Sequence, residues 1–143
     1  MPEIEHHPLP PFLPQGARVL MLGSFPPPRE RWCMDFFYPN PQNDMWRIMG
    51  QVFFGDKTHF ELYRDKTHWE GQRDKTSLGL PRDGILRDRQ HSPKNRKTVF
   101  DCEAIVAFCR EQGIAIFDTA QAVRRLQGNA ADEVILCYSV PAN

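Results

Sequence analysis

A chain of 143 residues, 41% hydrophobic and 25% charged, has the size and apolar content for one domain with one core. Its 18 basic side chains balance 18 acidic ones, which excludes a uniformly basic nucleic-acid binder while leaving room for local patches. No apolar run reaches membrane-spanning length, and the proline-rich, acidic N-terminus is unlike a signal peptide, so a cytoplasmic monomer with no membrane partner is expected. The four cysteines (Cys33, Cys102, Cys109 and Cys137) form no Cys-x-x-Cys pair. Neither a disulfide framework nor a zinc site is therefore expected, and no metal or cofactor is implied.

Residues 1–17 read as an arm. Pro8, Pro10, Pro11 and Pro14 exclude helix and central strand there. Leu9, Phe12 and Leu13 could pin the arm across the core, while His6 and His7 are expected in solvent. Val19-Leu20-Met21-Leu22 is a continuous apolar run ending at Gly23, the pattern of a strand buried on both faces. Pro26, Pro27 and Pro28 then hold the chain extended. An aromatic- and amide-rich loop follows, with Phe36, Phe37 and Tyr38 beside Asn40, Gln42 and Asn43. Such loops on a rigid scaffold often carry the site. From Asp44 the spacing of Met45, Ile48, Met49, Val52 and Phe53 predicts a helix that Gly55 ends.

Residues 56–97 are different. A nine-residue echo begins at Asp56, Asp65 and Asp74: DKTHFELYR, DKTHWEGQR, DKTSLGLPR. Eleven Lys/Arg against seven Asp/Glu make this segment basic, between flanks that are both acidic. Only the first copy has an apolar face, so a solenoid is not expected. The segment reads as an inserted, largely solvated excursion; contact with phosphates is the sharper alternative. His59 and His68 recur with the echo and are read as part of it rather than as metal ligands.

Thr98-x-x-Asp101 resembles a capping box for a helix whose inner face holds Cys102, Ile105, Phe108 and Cys109, closed by Gly113. Ile114-Ala115-Ile116-Phe117 reads as a second buried strand with Asp118 and Thr119 at its carboxyl end. Ala120 to Leu126 reads as a short amphipathic helix, with Arg124 and Arg125 on its wet face or touching phosphates. The element order predicts an α/β fold, a parallel-sheet core with flanking helices. A right-handed crossover would make the two strands parallel, so the loops after Leu22 and Phe117 would open on one sheet edge.

The Gly23-Ser24-Phe25-Pro26 turn after a strand resembles the first motif of the uracil-DNA glycosylase superfamily. The run Phe37-Tyr38-Pro39-Asn40-Pro41-Gln42-Asn43-Asp44-Met45-Trp46 is similar to its aromatic and P-x-N-x-[FM]-W elements, and Ile114 to Asp118 to its internal strand. The nearest likeness is to the branch holding mismatch-specific and hypoxanthine-type enzymes. The resemblance covers residues 9–55 and 98–133. It implies a three-layer α/β/α domain that hydrolyses the N-glycosidic bond of uracil or hypoxanthine in DNA, so its partner would be DNA with a damaged or mismatched base. By resemblance Asn43 is the catalytic residue, orienting water or the leaving base; it also immediately precedes a helix and could be its N-cap. Gly23, Ser24, Phe25, Phe37, Tyr38 and Asp118 are the implied base-binding residues. Tyr38 would be the stacking platform, with Phe37 as runner-up. Asp118 could instead cap the next helix.

Two features depart from the family. The turn has Ser24 and Phe25 where many members carry Asn or Asp, and the chain ends where family domains continue, so an incomplete family domain is expected. Tyr138 to Asn143 echoes the second motif's S-x-S-P-A-N form, too early in the chain for a working copy. Two other readings stay open. One is a non-catalytic remnant. The other is an α/β domain binding a small molecule or nucleotide at the same sheet edge, although no GxGxxG or P-loop is present.

Overall fold

A computed structural model describes residues 3–65, 85–86, 96–125 and 135–138, with the side chains of 65, 85–86, 96 and 135–138 left aside. The architecture is mixed α/β, with small sheets, one of them a parallel pair, and two α-helices among the described residues. In chain order the elements are β1 (Ile4–His6), β2 (Val19–Gly23), α1 (Met45–Phe54), β3 (Glu61–Asp65), β4 (Ile85–Leu86), β5 (Arg96–Phe100), α2 (Cys102–Gln112), β6 (Ile114–Asp118), β7 (Ala122–Arg125) and β8 (Ile135–Tyr138). β2 and β6 pair in parallel from Val19–Ile114 to Gly23–Asp118, as the sequence predicts. Gly23 and Asp118 therefore end their strands side by side.

Burial within this pair is unequal. Ile114, Ala115 and Ile116 of β6 are buried, but Val19, Leu20 and Leu22 of β2 are more than half exposed. The expectation that β2 is buried on both faces is not met. β6 is flanked by β2 on one edge and by the arm on the other, where Phe12 and Ile116 exchange both backbone hydrogen bonds at 3.0 and 2.9 Å. β2 has only β6 as a strand partner among the described residues.

The arm is an integral part of the fold. β1 fits between Pro2 and Pro8 and pairs antiparallel with β7, while Leu9 and Phe12 pack on the core. Leu13, expected to help pin the arm, points outward at 67% exposure. His6 is exposed as expected, but the side chain of His7 is buried rather than solvated.

The predicted helix after Phe117 is instead strand β7, between β1 and β8. Val123 is β-branched, and with two strand edges beside it pairing prevails over the weak helical periodicity. Arg125 is accordingly buried, bonded to both Glu5 carboxylate oxygens at 3.0 and 3.1 Å and lying over the Phe25 ring at 5.5 Å. That replaces the wet-face reading of Arg125.

Both helices form where predicted, and both end at a left-handed glycine, Gly55 (φ 65°) and Gly113 (φ 68°). Left-handed backbone at these C-terminal positions favours a residue without Cβ. The N-cap of α2 is Asp101, whose carboxylate accepts from the Ala104 N–H; Thr98 lies in β5, so the capping box does not form. Ile105, Phe108 and Cys109 face inward as expected, with Cys102 packed at the margin. Burial pushes the Cys109 thiol up to about 12 and, with nearby carboxylates adding to it, Cys102 to about 11. Both behave as small hydrophobes.

The core joins Phe36, Phe37, Trp46, Phe60, Phe100, Phe108 and Ile116. Phe36 and Trp46 lie in it, as their size suggests. Phe60 belongs to the first copy of the echo, whose apolar face is thus folded in, and β3 pairs antiparallel with β5 in a full five-residue register. Order therefore extends further into the basic segment than predicted, from both sides. The second and third copies lie largely outside the described residues. So do Leu126, His68 and the last five residues with their motif echo.

Candidate active site

At the carboxyl end of the β2–β6 pair lies a cavity of about 430 Å³. Its walls include Ser24, Phe25, Phe37, Tyr38, Asn43 and Asp118, together with Leu9, Pro26, Pro27, Pro39, Asn40 and Gln42. Six of the seven residues singled out from the sequence thus meet in one space, from segments about 75 residues apart in the chain. The seventh, Gly23, lies beneath it. A Cβ on Gly23 would stand 2.5 Å from Asp118 Oδ1 and 3.1 Å from the Tyr38 hydroxyl. Only glycine lets that carboxylate and that phenol converge over the strand end.

The loop that carries Tyr38 is held from several sides. Trp46 Nε1 donates to the Phe37 carbonyl at 3.0 Å, and the Cys33 N–H donates to the Pro39 carbonyl at 2.9 Å. Between these anchors Tyr38 adopts φ 52°, a left-handed conformation unusual for a side chain of its size. Strain of this kind costs about 1–3 kcal/mol and is retained where surrounding contacts impose it. Here it turns the ring to the cavity, edge-on to Trp46 at 6.0 Å. Burial, and then the charge of Asp118, raise the Tyr38 hydroxyl above its ordinary pKa, so it stays a neutral phenol at neutral pH. Phe37 is a buried wall, packed edge-on against Phe36 and Phe117.

Asn43 sits at the rim. Its Oδ1 accepts from the Met45 N–H at 2.8 Å, supporting the start of α1, although the N-cap position itself belongs to Asp44. The amide NH₂ group remains the donating end of this side chain. Asn40 shapes the same turn: its Oδ1 accepts from the Gln42 N–H and its carbonyl from the Asn43 N–H.

Asp118 is buried and caps no helix, since β7 follows. Its Oδ2 instead accepts from His7 Nε2 at 2.6 Å, across 111 residues of sequence. The His7 side chain is 4% exposed and packs among Phe25, Phe37 and Phe117. Nothing local in the sequence marks His7; only the docking of the arm along β6 brings it here. The cavity is therefore aromatic in its walls, has one anchored carboxylate and one phenol at its floor, and has amides at its rim. Such a surface suits a flat ligand with a polar edge. Among the described residues no group of three or more His, Cys, Asp or Glu could hold a metal ion, and no helix is long and apolar enough to cross a membrane.

Comparison with protein families, with curated proteins and with solved structures found no match to this chain.

Proposed function

We propose that the chain is a DNA glycosylase of the uracil-DNA glycosylase type, hydrolysing the N-glycosidic bond of a deaminated base, uracil or hypoxanthine, in DNA. The observation that carries this reading is the meeting of Ser24, Phe25, Phe37, Tyr38, Asn43 and Asp118 around one cavity at the end of a parallel strand pair. The expected whole is a three-layer α/β/α domain acting in base-excision repair.

A base in a duplex is reached by turning it out of the stack. Tyr38 and Phe37 offer apolar faces for the extruded ring. Asp118 Oδ1 accepts an N–H from the base edge, a donor that both uracil and hypoxanthine carry. The Asn43 NH₂ group donates to a base carbonyl. As the C1′–N bond breaks, its electron pair moves onto the base, and a donor aimed at the carbonyl stabilises that growing charge. Water then adds at C1′ and loses a proton to solvent. The engagement of Asn43 Oδ1 with Met45 makes this side chain a donor to the leaving base more than an acceptor for water. Positioning and electrostatics supply the rate, with no strong general base required.

The test is release of free base from duplexes carrying uracil or hypoxanthine. The wild-type chain is expected to release one of them, and Asn43→Ala to slow release by about a hundredfold, the cost of one lost donor to a developing anion. No release from either duplex by the wild-type chain sinks the proposal.

A further inference from the structure

We infer that His7, in the N-terminal arm, is a positioning residue for the cavity: its Nε2 holds Asp118 Oδ2 and leaves Oδ1 for the base. The inference deepens the glycosylase reading and rests on it for the identity of the ligand.

A buried carboxylate without a partner is costly, and inside a cavity it would repel a base that gains negative charge as it leaves. Asp118 has one such partner. His7 Nε2 lies 2.6 Å from Oδ2, while Oδ1 is the oxygen over Gly23, beside the Tyr38 hydroxyl. One carboxylate oxygen is thus tied to the arm, and the other is left over the strand end at Gly23, away from the arm. An ionised carboxylate only accepts, so Nε2 must carry a proton. His7 Nδ1 faces both groups of Leu9: the carbonyl at 2.9 Å and the N–H at 3.1 Å. A protonated Nδ1 donates to the carbonyl, making an imidazolium that neutralises Asp118. An unprotonated Nδ1 accepts from the N–H, leaving the pair with one negative charge. The ring is therefore held in place in either state. His7 does not itself line the cavity; it reaches a ligand through its bond to Asp118 and through the wall residues it packs against, Phe25 and Phe37, and only the first of these depends on the Nε2 donor.

The experiment compares His7→Gln and His7→Leu with the wild-type full chain. Gln retains a donor at the Nε2 end; Leu retains bulk and removes the donor. For base release, His7→Leu is expected to lower kcat by about tenfold or more, the size of a hydrogen bond to a charged group, with a smaller change in KM. His7→Gln is expected to recover most of that loss. Wild-type kinetics in both variants overturn the inference. So do equal losses in both, accompanied by the same drop in melting temperature, since the arm would then be only structural. Absence of base release by the wild-type chain removes the glycosylase reading without deciding the anchor. The downfield His7 Nε2–H proton resonance then decides it: its loss in Asp118→Asn supports the anchor, and its persistence unchanged overturns it.

Discussion

Within the parallel pair, Ile116 of β6 is sealed from solvent, whereas Val19, Leu20 and Leu22 of β2 are 52–56% exposed. Both strands carry four consecutive apolar residues, and neither run alternates in polarity. What separates them is their neighbours. β6 has a strand on one edge, the Phe12 bridge on the other and α2 leading directly into it through Gly113. β2 has β6. The same apolar run is thus core in one place and surface in the other, because burial depends on what packs over a strand and not on the strand alone. The two strands are equivalent only at their carboxyl ends, where Gly23 and Asp118 meet beneath the cavity.

Truncating one residue on each strand separates the two environments. Ile116→Ala is expected to lower the unfolding free energy by about 2–5 kcal/mol, the range for a large side chain removed from a packed core. Leu20→Ala is expected to change it by about 0.5 kcal/mol, as at an exposed site. Urea unfolding of both variants measures the difference. Equal losses would mean that β2 is covered in solution.

Legibility followed the same division. Both helices, the parallel pairing, the Phe36–Trp46 core and the gathering of the site segments could be read from the sequence, because strong local signals and chain order determine them. A run of apolar residues after a glycine-ended helix has few alternatives. The failures fall where a distant segment decides the outcome. Residues 122–125 pair with the arm and so form a strand; Asp118 meets His7 and so caps nothing; Phe60 fills a gap beside Trp46 and so draws the first echo copy into the fold. None of these partners is near in sequence, and the proline-rich arm, which makes the first two possible, reads alone as an arm that could cross the core, with nothing to say which residues it would meet.

The second prediction concerns the end that the strands share. Gly23 has no left-handed φ, so Ala meets no backbone penalty there; the conflict lies with the Asp118 carboxylate and the Tyr38 hydroxyl alone. Gly23→Ala is therefore expected to leave the melting temperature within a few degrees of wild type, because those two side-chain ends can shift. Base release is expected to fall by about a hundredfold, as a displacement on the order of 1 Å can cost in an aligned site. A variant that releases base at the wild-type rate would show that the close approach over Gly23 has no role in catalysis.

The smallest effect tests whether Tyr38 and Asp118 face each other electrostatically across that junction. Burial is the larger cause of the raised Tyr38 pKa and the negative charge of Asp118 the smaller. Both favour the neutral phenol. Because the folded value lies above the ordinary one near 10, the contribution of Tyr38 to stability is fully present below pH 10 and is lost as pH rises through the folded value. Asp118→Asn removes the charge and keeps the shape, so the Tyr38 titration should move down towards 10 without reaching it. Phenolate absorbance reads this in a Tyr63→Phe, Tyr138→Phe background, where Tyr38 is the remaining tyrosine. An unchanged titration would separate the two groups and place the phenol outside the field of the carboxylate. An upward shift would reverse the sign of their coupling. A downward shift ties the Tyr38 ring on the loop after β2 to the carboxylate at the end of β6, and so makes the shared end of the strand pair one electrostatic unit.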